Sequence, residues 1–186
     1  SSPVASPAAS PVAAMTPDPA SPFTTVSVSR DEAMKAAIAA AKITIEDPKV
    51  TGGDLIDLQT ADVATLNPIL RQDGNSWQIT CKVYESLVFA DPLTGAFVPQ
   101  LADSWEMSAD GMRWRFHLAQ GVTFHDGTPL TVEDVLFSFA ASVDGSGLAP
   151  NKATIDSVLA SAEKIDDSTI ELTAKFPSSA FLFQTA

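Results

Sequence analysis

Cysteine, histidine and positive charge are all scarce in this sequence: one Cys, two His, and eleven Lys plus Arg among 186 residues. A lone Cys81 permits no intramolecular disulfide and no Cys-based metal cluster. Its neighbours Ile79 and Val83 suggest a small, buried, apolar side chain there. No Lys or Arg occurs from Val83 to Met112 or from Phe116 to Asn151, and the formal charge is −12. Nucleic-acid binders need clustered cations to displace counterions, so that class is disfavoured, as is attraction to an anionic lipid surface. The acidity reads as a solubilising surface. No apolar run is long enough to span a bilayer. The sequence opens without Met and without an apolar leader, so an exported form is expected to have lost its signal peptide before Ser1.

What is present is organised in blocks. Residues 2–13 repeat Ser-Pro-small-Ala three times, and Pro recurs at 3, 7, 11, 17, 19 and 22. Proline removes backbone donors, and Ser and Ala have little to bury, so 1–28 is expected to be a disordered tether. Ser29 to Glu32 has capping-box chemistry, followed by Met34, Ala37, Ile38 and Ala41 at helical spacing. Residues 29–50 thus read as a short amphipathic helix and linker. Leu55, Ile56 and Leu58 suit a short strand, and Trp77, Cys81 and Tyr84 at i, i+4, i+7 support a helix.

From Val83 to Phe139 nearly every position has a physical role. Leu87-Val88-Phe89 reads as a strand, and Asp91-Pro92-Leu93-Thr94-Gly95 as a turn. Ala109-Asp110-Gly111 marks a hairpin whose second strand alternates Trp114, Phe116 and Leu118 against Arg113, Arg115 and His117. Asp126 to Pro129 is a turn, and Thr131 with Asp134 caps a helix carrying Val135, Leu136 and Phe139 inward. A second hairpin is expected from about 158–176, turning at Asp166-Asp167-Ser168.

Catalytic chemistry is thinly represented. His117 and His125 lie eight residues apart across a glycine break, and with Asp126 they make the one metal-like grouping. A third nitrogen ligand is lacking, and a His beside Asp-Gly is more often a turn residue. Asp110 and Asp126 both belong to turns, and Ser178-Ser179 has no evident base. Trp105, Trp114 and Phe116 could stack a ligand, although aromatics alternating along strands are more often core.

A long ordered series then carries a family likeness. It runs Thr65-Leu66-Asn67-Pro68, Tyr84-Glu85-Ser86-Leu87-Val88, Pro99-Gln100-Leu101-Ala102-Asp103-Ser104-Trp105 and Asp110-Gly111. It continues through Gly121-Val122-Thr123-Phe124-His125-Asp126-Gly127-Thr128-Pro129-Leu130-Thr131 and Glu133-Asp134-Val135. This series resembles the family 5 extracellular solute-binding proteins, the peptide- and nickel-type binding components of ABC importers. One departure is Ala119-Gln120, where the family usually has an Arg-Lys-like pair.

The resemblance implies an α/β, two-lobed periplasmic-binding-protein-like fold of type II, with α+β character in this stretch. Residues 51–82 would begin the first lobe, 83–177 would form an inserted β-rich domain, and 178–186 would return to the first lobe. The second lobe would lie beyond Ala186, making this an N-terminal fragment. It implies no enzymatic activity and no cofactor. The expected role is delivery of a solute, an oligopeptide or dipeptide, to a membrane-embedded ABC permease by lobe closure. The molecule would be an exported, periplasmic or cell-surface monomer, held by a lipid anchor just before Ser1. Ligand contacts are expected at Gln72, Asp73, Gly74 and Asn75. Two other readings stand beside it: presentation of solute to a signalling receptor, and a small metal-dependent hydrolase using His117 and His125.

Overall fold

The computed structural model describes residues 16–17, 23–26, 32, 35–36, 38–39, 54, 56–92, 95–144, 150, 152–178 and 180–185. Its frame is the run Ala102–Ser108 (β5), Arg113–Leu118 (β6), Leu159–Lys164 (β7) and Thr169–Ala174 (β8). With Thr16–Pro17 (β1) and Phe23–Val26 (β2) they form one antiparallel sheet ordered β1-β2-β5-β6-β8-β7. Val88–Ala90 (β3) and Phe97–Pro99 (β4) pair separately. The helices are Gly74–Val83 (α1), Val132–Ser142 (α2), Lys152–Val158 (α3) and Phe181–Thr185 (α4).

Strand β6 is central, and its alternation decides the layering. Trp114, Phe116 and Leu118 are buried, and β8 answers with buried Ile170, Leu172 and Ala174. Gly111 makes the β5–β6 hairpin possible: its φ of 70° is a left-handed value that a β-carbon would strain. A register shift between Ala102 and Ser104 adds one residue to β5. That shift lets Ala102 and Trp105, three apart, both face inward, which unbroken two-residue alternation forbids. Trp105, Trp114 and Phe116 are therefore core.

The buried face is covered by helices. Thr131 and Asp134 form a reciprocal capping box that starts α2, which places Val132 and Val135 in the core. Phe181 of α4 is fully buried and stacks on Trp114, ring centroids 5.8 Å apart. Burying a side chain of that size contributes roughly 2–3 kcal/mol. The opposite face of the sheet is charged. Arg115 pairs with Glu171 at 2.7 Å, and His117 Nδ1 lies 3.1 Å from Thr169 Oγ1.

Three expectations need correction. The disordered reading of 1–28 fails at Phe23–Val26, which pairs with β5, with Phe23 only 2% exposed. Composition registered the prolines and missed the short β-forming run Phe-Thr-Thr-Val. Ile56 and Leu58 are 85% and 90% exposed and form no strand; a strand needs a neighbour, and none is paired with them. Cys81 is exposed, its thiol donating to the Gln78 carbonyl at 3.3 Å. Of the expected helix in 29–50, Glu32, Lys35, Ala36, Ile38 and Ala39 are helical, whereas its Ser29 cap lies outside the described residues.

Phe116→Ala is expected to lower stability by about 3–5 kcal/mol, whereas Phe137→Ala, on the exposed side of α2, should change it by less than about 0.5 kcal/mol. Urea unfolding of the two variants checks the assignment of the core face.

Candidate functional site

Residues 56–83 form a loop and helix joined by a polar seam. At Asn67-Pro68 the chain turns sharply: Asn67 Oδ1 accepts from the Ile69 amide at 2.9 Å, and the Leu70 amide donates to the Asn67 carbonyl. Asp73 then caps α1, its carboxylate accepting from the Ser76 amide at 2.8 Å. Ser76 and Thr80, one turn apart, are both fully covered. Ser76 Oγ accepts from the Ala64 and Thr65 amides at 3.1 and 3.2 Å. Thr80 Oγ1 accepts from Arg71 at 2.9 Å and donates to the Ser76 carbonyl. Thr60 donates to Asn75 Oδ1 at 3.1 Å, and Lys82 pairs with Asp57 at 2.8 Å.

This seam explains why α1 turns a polar side inward. Trp77 and Tyr84, whose spacing supports the helix, are 52% and 48% exposed. Their spacing does mark one helical face, but spacing alone does not say which face meets the chain. The hydroxyl face wins because it satisfies loop amides that would otherwise lack partners. Sequence reasoning missed Ser76 and Thr80; the available signal was Ser and Thr at i, i+4 beside the apolar stripe.

The four expected contact residues sit together at the start of α1, in different states. Gln72 and Gly74 are exposed, and nothing lies within 4 Å of where a Gly74 β-carbon would project. Asp73 is engaged as the cap and Asn75 as acceptor for Thr60, each half-buried. The set therefore offers one uncommitted amide side chain, an unobstructed stretch of backbone, and a fixed carboxylate. Such groups can hydrogen-bond a polar solute; they include no nucleophile–base pair. His117 belongs to the sheet, 3.7 Å from Glu106, whereas Asp126 accepts from both the amide and the hydroxyl of Thr128 in its turn. Among the described residues no group of three or more His, Cys, Asp or Glu could hold a metal ion.

Two carboxylates in the seam are held below the ordinary Asp range. For Asp73 the main cause is the hydrogen bond from the Ser76 amide, and for Asp57 it is the hydrogen bond from Lys82. A depressed carboxylate stabilises the fold fully above its unfolded pKa of about 4, and that contribution is lost as pH falls through the lower folded value. The loop should therefore loosen in acid and stay unchanged between pH 6 and 8. An NMR titration of the Ser76 amide should show a midpoint below about 4, and Asp73→Asn should abolish it. Ser76→Ala should raise amide exchange at Ala64 and Thr65 about tenfold.

Comparison with known proteins places this architecture. Residues 96–186 match the family model for bacterial extracellular solute-binding proteins, family 5 Middle. A probable D,D-dipeptide-binding periplasmic protein of Escherichia coli is 30% identical over 168 residues, covering 86% of this chain and 31% of that protein. Heme-binding protein A of Haemophilus influenzae is 33% identical over 133 residues, covering 62% of this chain and 24% of the other. A periplasmic oligopeptide-binding protein from Borrelia burgdorferi superposes with a TM-score of 0.60 at 29% identity, over 64% of this chain and 27% of that one. The chain thus spans about a quarter to a third of the length of the curated relatives it matches. Family match, sequence relatives and fold agree, and the chain belongs to the family 5 bacterial extracellular solute-binding proteins.

Proposed function

We propose that this chain contributes the ligand-facing loop and the β-rich domain of an extracytoplasmic binding protein that delivers a peptide to an ABC permease by lobe closure. The observation that carries the reading is the seam that fixes Gln72 to Asn75 at an exposed edge while leaving Gln72 and the Gly74 backbone open. A peptide backbone presents alternating donors and acceptors, and an amide side chain beside accessible main chain is suited to meet them. Support for peptide also comes from relatives: one is named for D,D-dipeptide binding and one structure for oligopeptide binding. The protein has no catalytic part in this scheme.

In domain terms, residues 51–82 and 178–186 belong to the first lobe and 83–177 to the inserted domain. The exposed Ile56, Leu58, Trp77 and Tyr84 are suited to pack against further parts of that lobe. Closure of two lobes on the solute would supply the rest of the binding surface, with ligand favouring the closed state. An N-terminal lipid anchor would hold the molecule at the membrane; among the described residues no helix is long and apolar enough to cross it.

Calorimetry tests this reading. The complete gene product should bind a di- or oligopeptide at micromolar concentration or tighter, and Gln72→Ala should weaken it about fivefold or more, the loss of roughly one hydrogen bond. The 186-residue chain alone should bind at least about a hundredfold more weakly, for want of most of the cleft wall. Equal affinity for the two forms, or no peptide bound by the complete protein, would contradict it.

A further inference from the structure

Phe23 occupies an unusual place: a large apolar side chain, 2% exposed, on the charged face of the sheet. It pairs in register with Ser108, which puts it on the side of Glu106 and Arg115 and opposite to Trp105 and Met107. Two guanidinium groups cover its ring, Arg115 at 4.0 Å and Arg113 at 5.0 Å from the centroid. Arg115 is in turn held by Glu171 at 2.7 Å, an ion pair largely shielded from solvent. Beside this contact, Phe23–Val26 runs antiparallel to Ser108–Trp105 and closes the outer edge of β5. Strand pairing and the arginine–aromatic contact are independent attachments of one short segment to one sheet edge.

We infer that Phe23–Val26 is a separable N-terminal clasp: a strand that docks on the β5 edge and opens without unpairing β6 from β8. Buried area, strand hydrogen bonds and two cation–π contacts hold Phe23, and all of them act at the β5 edge and its charged face. The core side of the sheet is sealed separately by Trp105, Phe116 and Ile170. The attachment has an opening built in: β2 is four residues long, and among the described residues its other side is bordered by the two residues of β1. Release of the clasp would bare the β5 edge, while β6 and β8 keep their mutual pairing.

Amide hydrogen exchange on the full 186-residue chain tests this. In the unaltered chain the amides of Thr24 to Val26 should be protected. Phe23→Ala should lower that protection about a hundredfold, with β6 and β8 amides unchanged. Phe23→Trp, which keeps both burial and the arginine contacts, should retain it, and Phe23→Leu should fall between. Free-chain exchange at Thr24 to Val26 in the unaltered protein would overturn the clasp. So would equal loss of protection across β6 and β8 in Phe23→Ala, because the segment would then be part of the sheet's global stability rather than a separable attachment.

Discussion

The two-faced character of β6 is the constraint on which the rest depends. Three buried residues, Trp114, Phe116 and Leu118, alternate with Arg113, Arg115 and His117. With a period of two, a slip of one residue would turn the whole apolar set outward. Strands β5 and β8 flank it and repeat the division, and the helices α2 and α4 close the apolar side. On the charged side, Arg115 links Glu171 to Phe23. The same strand therefore organises the core through its even residues and the N-terminal attachment through its odd ones.

Structure and the recognition proposed for this chain rest on two kinds of interaction. The sheet is held by apolar burial, which is non-directional and tolerant of many solutes outside it. The loop before α1 is held by hydrogen bonds accepted by Ser76, Thr80 and Asn75, with Arg71 among the donors, and these fix directions more than they add stability. A binding protein that works as proposed would gain from that division, because a loop with fixed direction and modest stability could still adjust during the proposed closure. The relatives are named for solutes as different as heme and D,D-dipeptide, consistent with one scaffold carrying variable contact residues.

Local chemistry made the β-rich part legible in the sequence. Gly111 after Asp110, the Thr131–Asp134 cap and the hairpin turning at Asp166 to Ser168 each follow from nearest-neighbour physics, and each stands where it was expected. What escaped notice depends on partners distant in sequence. The β5 bulge at Asp103 is legible only against its mate Leu118. The strand at Phe23 needs β5, eighty residues away, and the inward side of α1 was chosen by amides at Ala64 and Thr65. Gln72 to Asn75 are candidates through family resemblance, whereas the cap role of Asp73 is a local feature of Asp-Gly-Asn-Ser.

A crystal structure of the complete gene product with a bound peptide tests the central claim most directly. The account predicts hydrogen bonds to the peptide from Gln72 or from the backbone at Gly74, with the β5–β6–β8 sheet making none. Peptide seated instead on that sheet, with the start of α1 left in solvent, would contradict it.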